Sequence, residues 1–185
     1  LGQPDGPHDI WAESQERGYP ILWWQVTESQ LPELPDLSGG TGKPNAPYLI
    51  STSSELNRIG HNPRLMHACF QLIGDIDLNG VNLHIIGSES YPFRGVFDGN
   101  GHTISNFTYS SANTDCVGLF GYVRGPNADI TNLGLITPAI DASMGRNVGS
   151  LVGCLQTGTV ANCYAQGVSD IRGGSNTGGL IGCNS

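Results

Sequence analysis

The sequence predicts an all-β chain wound into a β-solenoid, and three observations carry that expectation. First, one phrase occurs three times: Val-Gly-Leu-Phe-Gly at 117–121, Val-Gly-Ser-Leu-Val-Gly at 148–153 and Thr-Gly-Gly-Leu-Ile-Gly at 177–182. Its central leucines, Leu119, Leu151 and Leu180, are 32 and 29 residues apart. A companion phrase (104–107, 130–133 and 160–163) places Asn106, Asn132 and Asn162 at spacings of 26 and 30. Self-similarity at such a period marks stacked units that bury their apolar faces against their neighbours. Second, the apolar runs are three to five residues long and fenced by Gly, Asn, Ser and Thr, too short for helices. They alternate as strands do: in 130–135, Leu133 and Leu135 share a face. Third, 27 glycines in 185 residues with only 13% charged residues describe a turn-rich β protein, and 38% hydrophobic residues leave a core to build. Equivalent positions are then expected to stack at roughly 4.8 Å. The three asparagines should form a ladder whose amides bond to one another or to corner backbone.

Charge narrows the partners. A formal net charge of −8 leaves no basic patch to neutralise phosphates, which argues against nucleic acid. No apolar run approaches the ~18 residues of a membrane span. The chain begins at Leu1 without Met, which suggests processing or excision from a longer chain.

In order along the chain, 1–37 reads as an arm and linker and 38–185 as the solenoid. All three tryptophans lie in the arm, Trp11 alone and Trp23 and Trp24 in Gly-Tyr-Pro-Ile-Leu-Trp-Trp at 18–24. They suit an anchor in an apolar groove, with sugar stacking as the alternative. Residues 31–47 carry four Pro and three Gly and read as a linker. A strand follows at 47–50. Thr52-Ser53-Ser54-Glu55 is a capping box, so a short helix should carry Leu56 and Ile59 inward and stop at Gly60. Asn62-Pro63 can start a second helical turn resting on Leu65 and Met66. Together these would cover an open solenoid end, which otherwise exposes unpaired strand edges. Strands are expected at 70–72, 75–78, 83–87 and 93–97. The turn dipeptides Asp98-Gly99 and Asn100-Gly101 then lead into Thr103-Ile104.

These phrases carry a resemblance. Gly39-Gly40-Thr41-Gly42-Lys43-Pro44 leading to Pro47-Tyr48-Leu49-Ile50, Leu56-Asn57-Arg58-Ile59-Gly60, Asp75-Ile76-Asp77-Leu78 and 97–104 resemble the head of bacterial GLUG-motif proteins. So do GLFG, SLVG and GLIG; the match covers about 38–185. The resemblance implies a secreted or surface-attached bacterial β-solenoid similar to the pectin-lyase-like right-handed parallel β-helices, with members in large adhesin-like proteins and a motif that is not catalytic. Trp11 and the 18–24 run resemble the segment that closes such a module at its C-terminal end. Here that segment comes first. The expectation is that the arm, through Trp11, Tyr19, Ile21, Leu22, Trp23 and Trp24, caps the open last coil of a second copy at Leu180, Ile181 and Cys183. Head-to-tail contacts of this kind do not close, and they give filaments. The alternative is a fragment of a tandem surface adhesin that binds carbohydrate or a host-cell ligand.

Candidate chemistry is sparse. Asp75-x-Asp77-x-Asn79-Gly80 fits the opening of an EF-hand calcium loop, but the twelfth position is Ile86 rather than Glu. No other cofactor is implied. Gly40-Thr41-Gly42-Lys43 lacks the spacing of a phosphate-binding loop. A polysaccharide-degrading enzyme would need convergent carboxylates, and Asp75, Asp77 and Asp98 are available. Only eight Lys and Arg welcome an anionic polymer, so the reading is non-enzymatic. The five histidines show no paired zinc spacing. Cys154 and Cys183 occupy equivalent places on adjacent coils, within reach of a disulfide; the alternative is that all five cysteines are small buried hydrophobes.

Overall fold

The computed structural model describes residues 37–167 and 170–185, together with the backbone of strands β1 (Trp11–Glu13) and β2 (Pro20–Leu22). β1 and β2 pair antiparallel, Trp11 opposite Leu22. The chain divides into two units between Pro35 and Asp36.

The second unit opens with β3 (Tyr48–Ile50), helix α1 (Ser53–His61) and a 3-10 turn at Pro63–His67. The capping box forms as its residue types require: Thr52 Oγ1 accepts from Glu55 N at 3.2 Å, and Glu55 Oε2 accepts from Thr52 N at 3.0 Å. The helix runs one residue past Gly60, to His61. Leu56, Ile59, Leu65 and Met66 are buried in the common core, so the helical element covers the first coil as expected.

Glu55 does more than cap. Its carboxylate also accepts from Ser51 N, Ser51 Oγ and Ser38 Oγ, tying the incoming chain to the helix. Burial opposes the charge, but these hydrogen bonds outweigh it and hold the carboxyl at about 2, against an ordinary 4.5. A folded pKa below the unfolded one stabilises fully above pH 4.5, and that stability is lost as pH falls from there toward 2. Glu55→Gln is expected to cost about 2 kcal/mol at pH 7, and its difference from wild type should narrow as pH falls below 4.5 and approach zero near pH 2. Urea unfolding at the two pH values checks both.

The solenoid strands are β4 (Cys69–Leu72), β5 (Ile76–Asp77), β6 (Val96–Asp98), β7 (Thr103–Ser105), β8 (Thr108–Ser110), β9 (Phe120–Thr131), β10 (Gly134–Ile136), β11 (Ala139–Val148), β12 (Val152–Ala161), β13 (Tyr164–Gln166), β14 (Asp170–Thr177) and β15 (Ile181–Asn184). They form three parallel sheets, ordered β15-β12-β9-β6-β4-β3, β13-β10-β7-β5 and β14-β11-β8. The chain passes from sheet to sheet and returns one rung higher, giving a solenoid of about four turns.

Register converts the sequence period into apolar columns. Phe70, Phe97, Ile130 and Val160 stack in one. Ile76, Ile104, Leu135 and Ala165 form the second, and Tyr109, Ile140 and Ile171 the third. Phe120, Val152 and Ile181 form a fourth, so the three phrases with Leu119, Leu151 and Leu180 do lie above one another. Four phenylalanines fill the lower coils: the Phe93–Phe120 ring centroids are 5.1 Å apart and Phe97–Phe120 5.2 Å.

Two strand expectations shift. The 83–87 run contributes only a bridge from Ile86 to Phe120, although Leu83 and Ile86 still point into the core. The next strand begins at Val96, with Phe93 bridging to Val123. Separately, the sheet β14-β11-β8 starts at β8, with no strand paired below it among the described residues.

Candidate functional site

Polar chemistry concentrates at the corners between sheets, where backbone in the left-handed region selects the residue type. Asn100, Asn132 and Asn162 have φ of 52°, 54° and 53° at one corner. Asn106, Thr137 and Gly167 (58°, 50° and 63°) occupy a second, and Cys116, Asn147 and Asn176 (55°, 60° and 52°) a third. Asparagine tolerates this conformation better than other non-glycine residues, and its amide can bridge rungs. Asn162 donates to Asn132 at 3.2 Å, Asn132 to Asp98 at 3.0 Å, and Asn176 to Asn147 at 2.8 Å.

The ladder exists, but Asn106 is not in it. Phe97, not Ile104, stacks under Ile130, so Asp98-Gly99-Asn100 holds the corner beneath Asn132. Asn106 sits one corner later, donating to Asp77 at 2.7 Å and accepting from Thr137 at 2.7 Å. The 26-residue spacing, shorter than the other intervals, was the sign of that slip.

The three aspartates are engaged with the coil above. Asp75 accepts from Thr103 N at 2.8 Å and lies 3.5 Å from His102 Nδ1; Asp77 accepts from Asn106 and from Asn79 N. These bonds hold both carboxyls below the usual carboxylate range: the Thr103 backbone N–H leads at Asp75, the Asn106 amide at Asp77. At Asp98 burial opposes ionisation, and the bonds from Asn132, Asn100 and Gln71 outweigh it. Among the described residues no group of three or more His, Cys, Asp or Glu is arranged to hold a metal ion.

The outermost coil is built differently from the one beneath it. Cys163, Ala165, Ile171, Leu180 and Ile181 are half-buried, whereas Leu133, Leu135, Ile140, Leu151 and Val152, one rung lower, are buried. Cys183 is half-buried beside its register partner Cys154, and all five cysteines carry free thiols. Of the expected arm contacts, Trp11, Ile21 and Leu22 are described by backbone only, and Tyr19, Trp23 and Trp24 lie outside the described residues.

Two features have no counterpart in the sequence pattern. The missing rung beside β8 leaves a groove of about 470 Å³ lined by His84, Glu89, Tyr109, Asp115 and Cys116 among others. The His61 and His84 rings, 23 residues apart in sequence, stack with centroids 3.4 Å apart. Partial desolvation, then the neighbouring His61, lowers the pKa of His84. Exposed Tyr91 and Tyr164 do not form a row: Tyr164 covers Gly134, its partner in the strand below.

Comparison with known proteins agrees with this architecture. The family described as the GLUG motif matches residues 144–172. The chain is 31% identical to halomucin of Haloquadratum walsbyi over 158 residues, 81% of this chain and 2% of halomucin. It is 35% identical over 104 residues to a protein of Evansella cellulosilytica provisionally described as a Gly-rich membrane protein, covering 53% of this chain and 12% of that one. The chain therefore spans a small fraction of both relatives. A solved structure from Bacteroides ovatus, provisionally described as an immunoglobulin A1 protease, superposes with a TM-score of 0.56 at 23% identity. That match covers 71% of this chain and 40% of the other, and is a likeness of fold. Residues 144–172 thus match the GLUG motif, within a chain folded as a parallel β-solenoid.

Proposed function

We propose that this chain is a structural or adhesive module of a cell-surface protein, without enzymatic activity, and that its outermost coil is completed by further strands. The outermost coil carries the reading: its apolar positions are half-buried only because no rung lies over them among the described residues. A next layer would bury them as Leu133, Leu135 and Ile140 are buried one coil below. The names of the relatives, halomucin and a Gly-rich membrane protein, support a surface location. Asp75, Asp77 and Asp98 support a non-enzymatic reading, because each is engaged between coils rather than aimed at a shared cleft.

The finer reading is that a second copy supplies the next layer through its arm, with Trp11, Tyr19, Ile21, Leu22, Trp23 and Trp24 as the contacts. Repetition of that contact would build a filament. Negative-stain microscopy and size measurement of the chain with and without residues 1–30 test it. Filaments that vanish on deletion are the expected result. Single particles in both samples would overturn head-to-tail assembly and leave the coil as one of a tandem array within a longer protein.

A further inference from the structure

Three of the five cysteines meet in one place, although 38 and 29 residues separate them in sequence. Cys154 in β12 is the register partner of Cys183 in β15. Parallel neighbours of this kind lie about 4.8 Å apart, inside the roughly 4.4–6.8 Å between Cα atoms that a disulfide spans. Cys116 approaches from the coil below. Gly153, the residue before Cys154, rests on its backbone so closely that an added Cβ would lie 2.4 Å from the Cys116 carbonyl carbon. The thiols of Cys116 and Cys183 both act electrostatically on that of Cys154. Cys154 is 7% exposed, while the two outer thiols are half-buried and open toward solvent. The remaining cysteines take no part: Cys69 is buried in β4, and Cys163 donates to the carbonyls of Ile130 and Ala161.

We propose that Cys116, Cys154 and Cys183 form one redox site, in which Cys154 is bridged to Cys183 and can exchange that bond to Cys116. The bridge ties β15 to β12 and so fastens the coil that a partner or a following rung must meet. The oxidant is a low-molecular-weight disulfide. The Cys183 thiol loses its proton and its sulfur attacks the small disulfide, releasing one small thiol and leaving a mixed disulfide on Cys183. The Cys154 sulfur, on losing its proton, displaces the second small thiol and forms the Cys154–Cys183 bond. Two protons and two electrons thus leave the protein, and the small disulfide departs as two thiols. A later attack of the Cys116 thiolate on the Cys154 sulfur moves the bond to Cys116–Cys154 and frees Cys183, with no net oxidation.

Burial, and then its two thiol neighbours, push the Cys154 thiol up to about 12, so Cys154 closes bonds rather than opening them. Attack falls to the half-buried thiols on either side, and ring closure is expected to be slow.

The test uses the whole chain, folded and reduced, treated with oxidised glutathione, alkylated, then denatured for thiol counting and peptide mapping. The free-thiol count should fall from five to three, with Cys154 linked to Cys183. Cys183→Ser should move the link to Cys116–Cys154, and Cys154→Ser should keep all of its remaining thiols free of internal bridges. Five thiols retained in the wild-type protein, glutathione adducts alone, or a two-thiol loss in Cys154→Ser would overturn the proposal. The wild-type count does not depend on any variant folding.

Discussion

Replacing Phe97 by alanine is expected to lower the unfolding free energy by about 3–5 kcal/mol. Phe97 is fully buried and stands in the middle of a column, with Phe70 below and Ile130 above. Its ring meets Phe120 edge-on at 5.2 Å and Phe70 at 6.2 Å. A solenoid has no lateral core to collapse into such a hole. Each rung touches only its neighbours, so one cavity weakens two interfaces together. Urea denaturation measures the loss. The denaturant slope should stay near the wild-type value if the whole stack still unfolds as one unit, whereas two separate transitions would show the stack broken at that rung. A loss under about 1 kcal/mol would mean that the column does not carry the stability assigned to it.

The second large effect is expected at Gly153→Ala, at about 3 kcal/mol, the upper end of typical overpacking costs. Glycine here answers to space rather than to backbone angle. An alanine Cβ would sit 2.4 Å from the Cys116 carbonyl carbon and 2.6 Å from Val117 N, both main-chain atoms that cannot rotate aside. The same relation recurs one rung higher, where a Cβ on Gly182 would meet Val148 N at 2.4 Å. Gly179, in the third copy of the phrase, is the control. A Cβ there meets nothing within 4 Å, so Gly179→Ala should change stability by no more than about 0.5 kcal/mol. Thermal unfolding of the two variants side by side separates glycine that is needed for close approach from glycine that is merely present. Equal effects at both sites would refute the packing account.

Much of this architecture is legible in residue order. The capping box at Thr52–Glu55 reads correctly because it depends on residues three apart, and Leu56 and Ile59 follow from helical spacing. The apolar columns read correctly because strand alternation and a period near 30 leave few ways to stack Leu119, Leu151 and Leu180. Asn106 misleads because its phrase looks like those at 130–133 and 160–163 while its corner is the next one along. Similar residues suit every left-handed corner, so likeness of wording does not say which corner is meant.

What the sequence determined by itself is therefore the period, the strand type, the helical cap and the identity of the buried residues, all set by local spacing and side-chain chemistry. What only the tertiary structure decided is which coil lies over which residue: that Cys116 joins Cys154 and Cys183, that His61 stacks on His84, and that a groove opens beside Tyr109. The reason is physical. Register depends on the lengths of corners and on shifts such as those between Ala142 and Arg146 or between Leu155 and Thr157, and each displaces everything after it. No short stretch of sequence records that sum; it is set only when whole coils pack on one another.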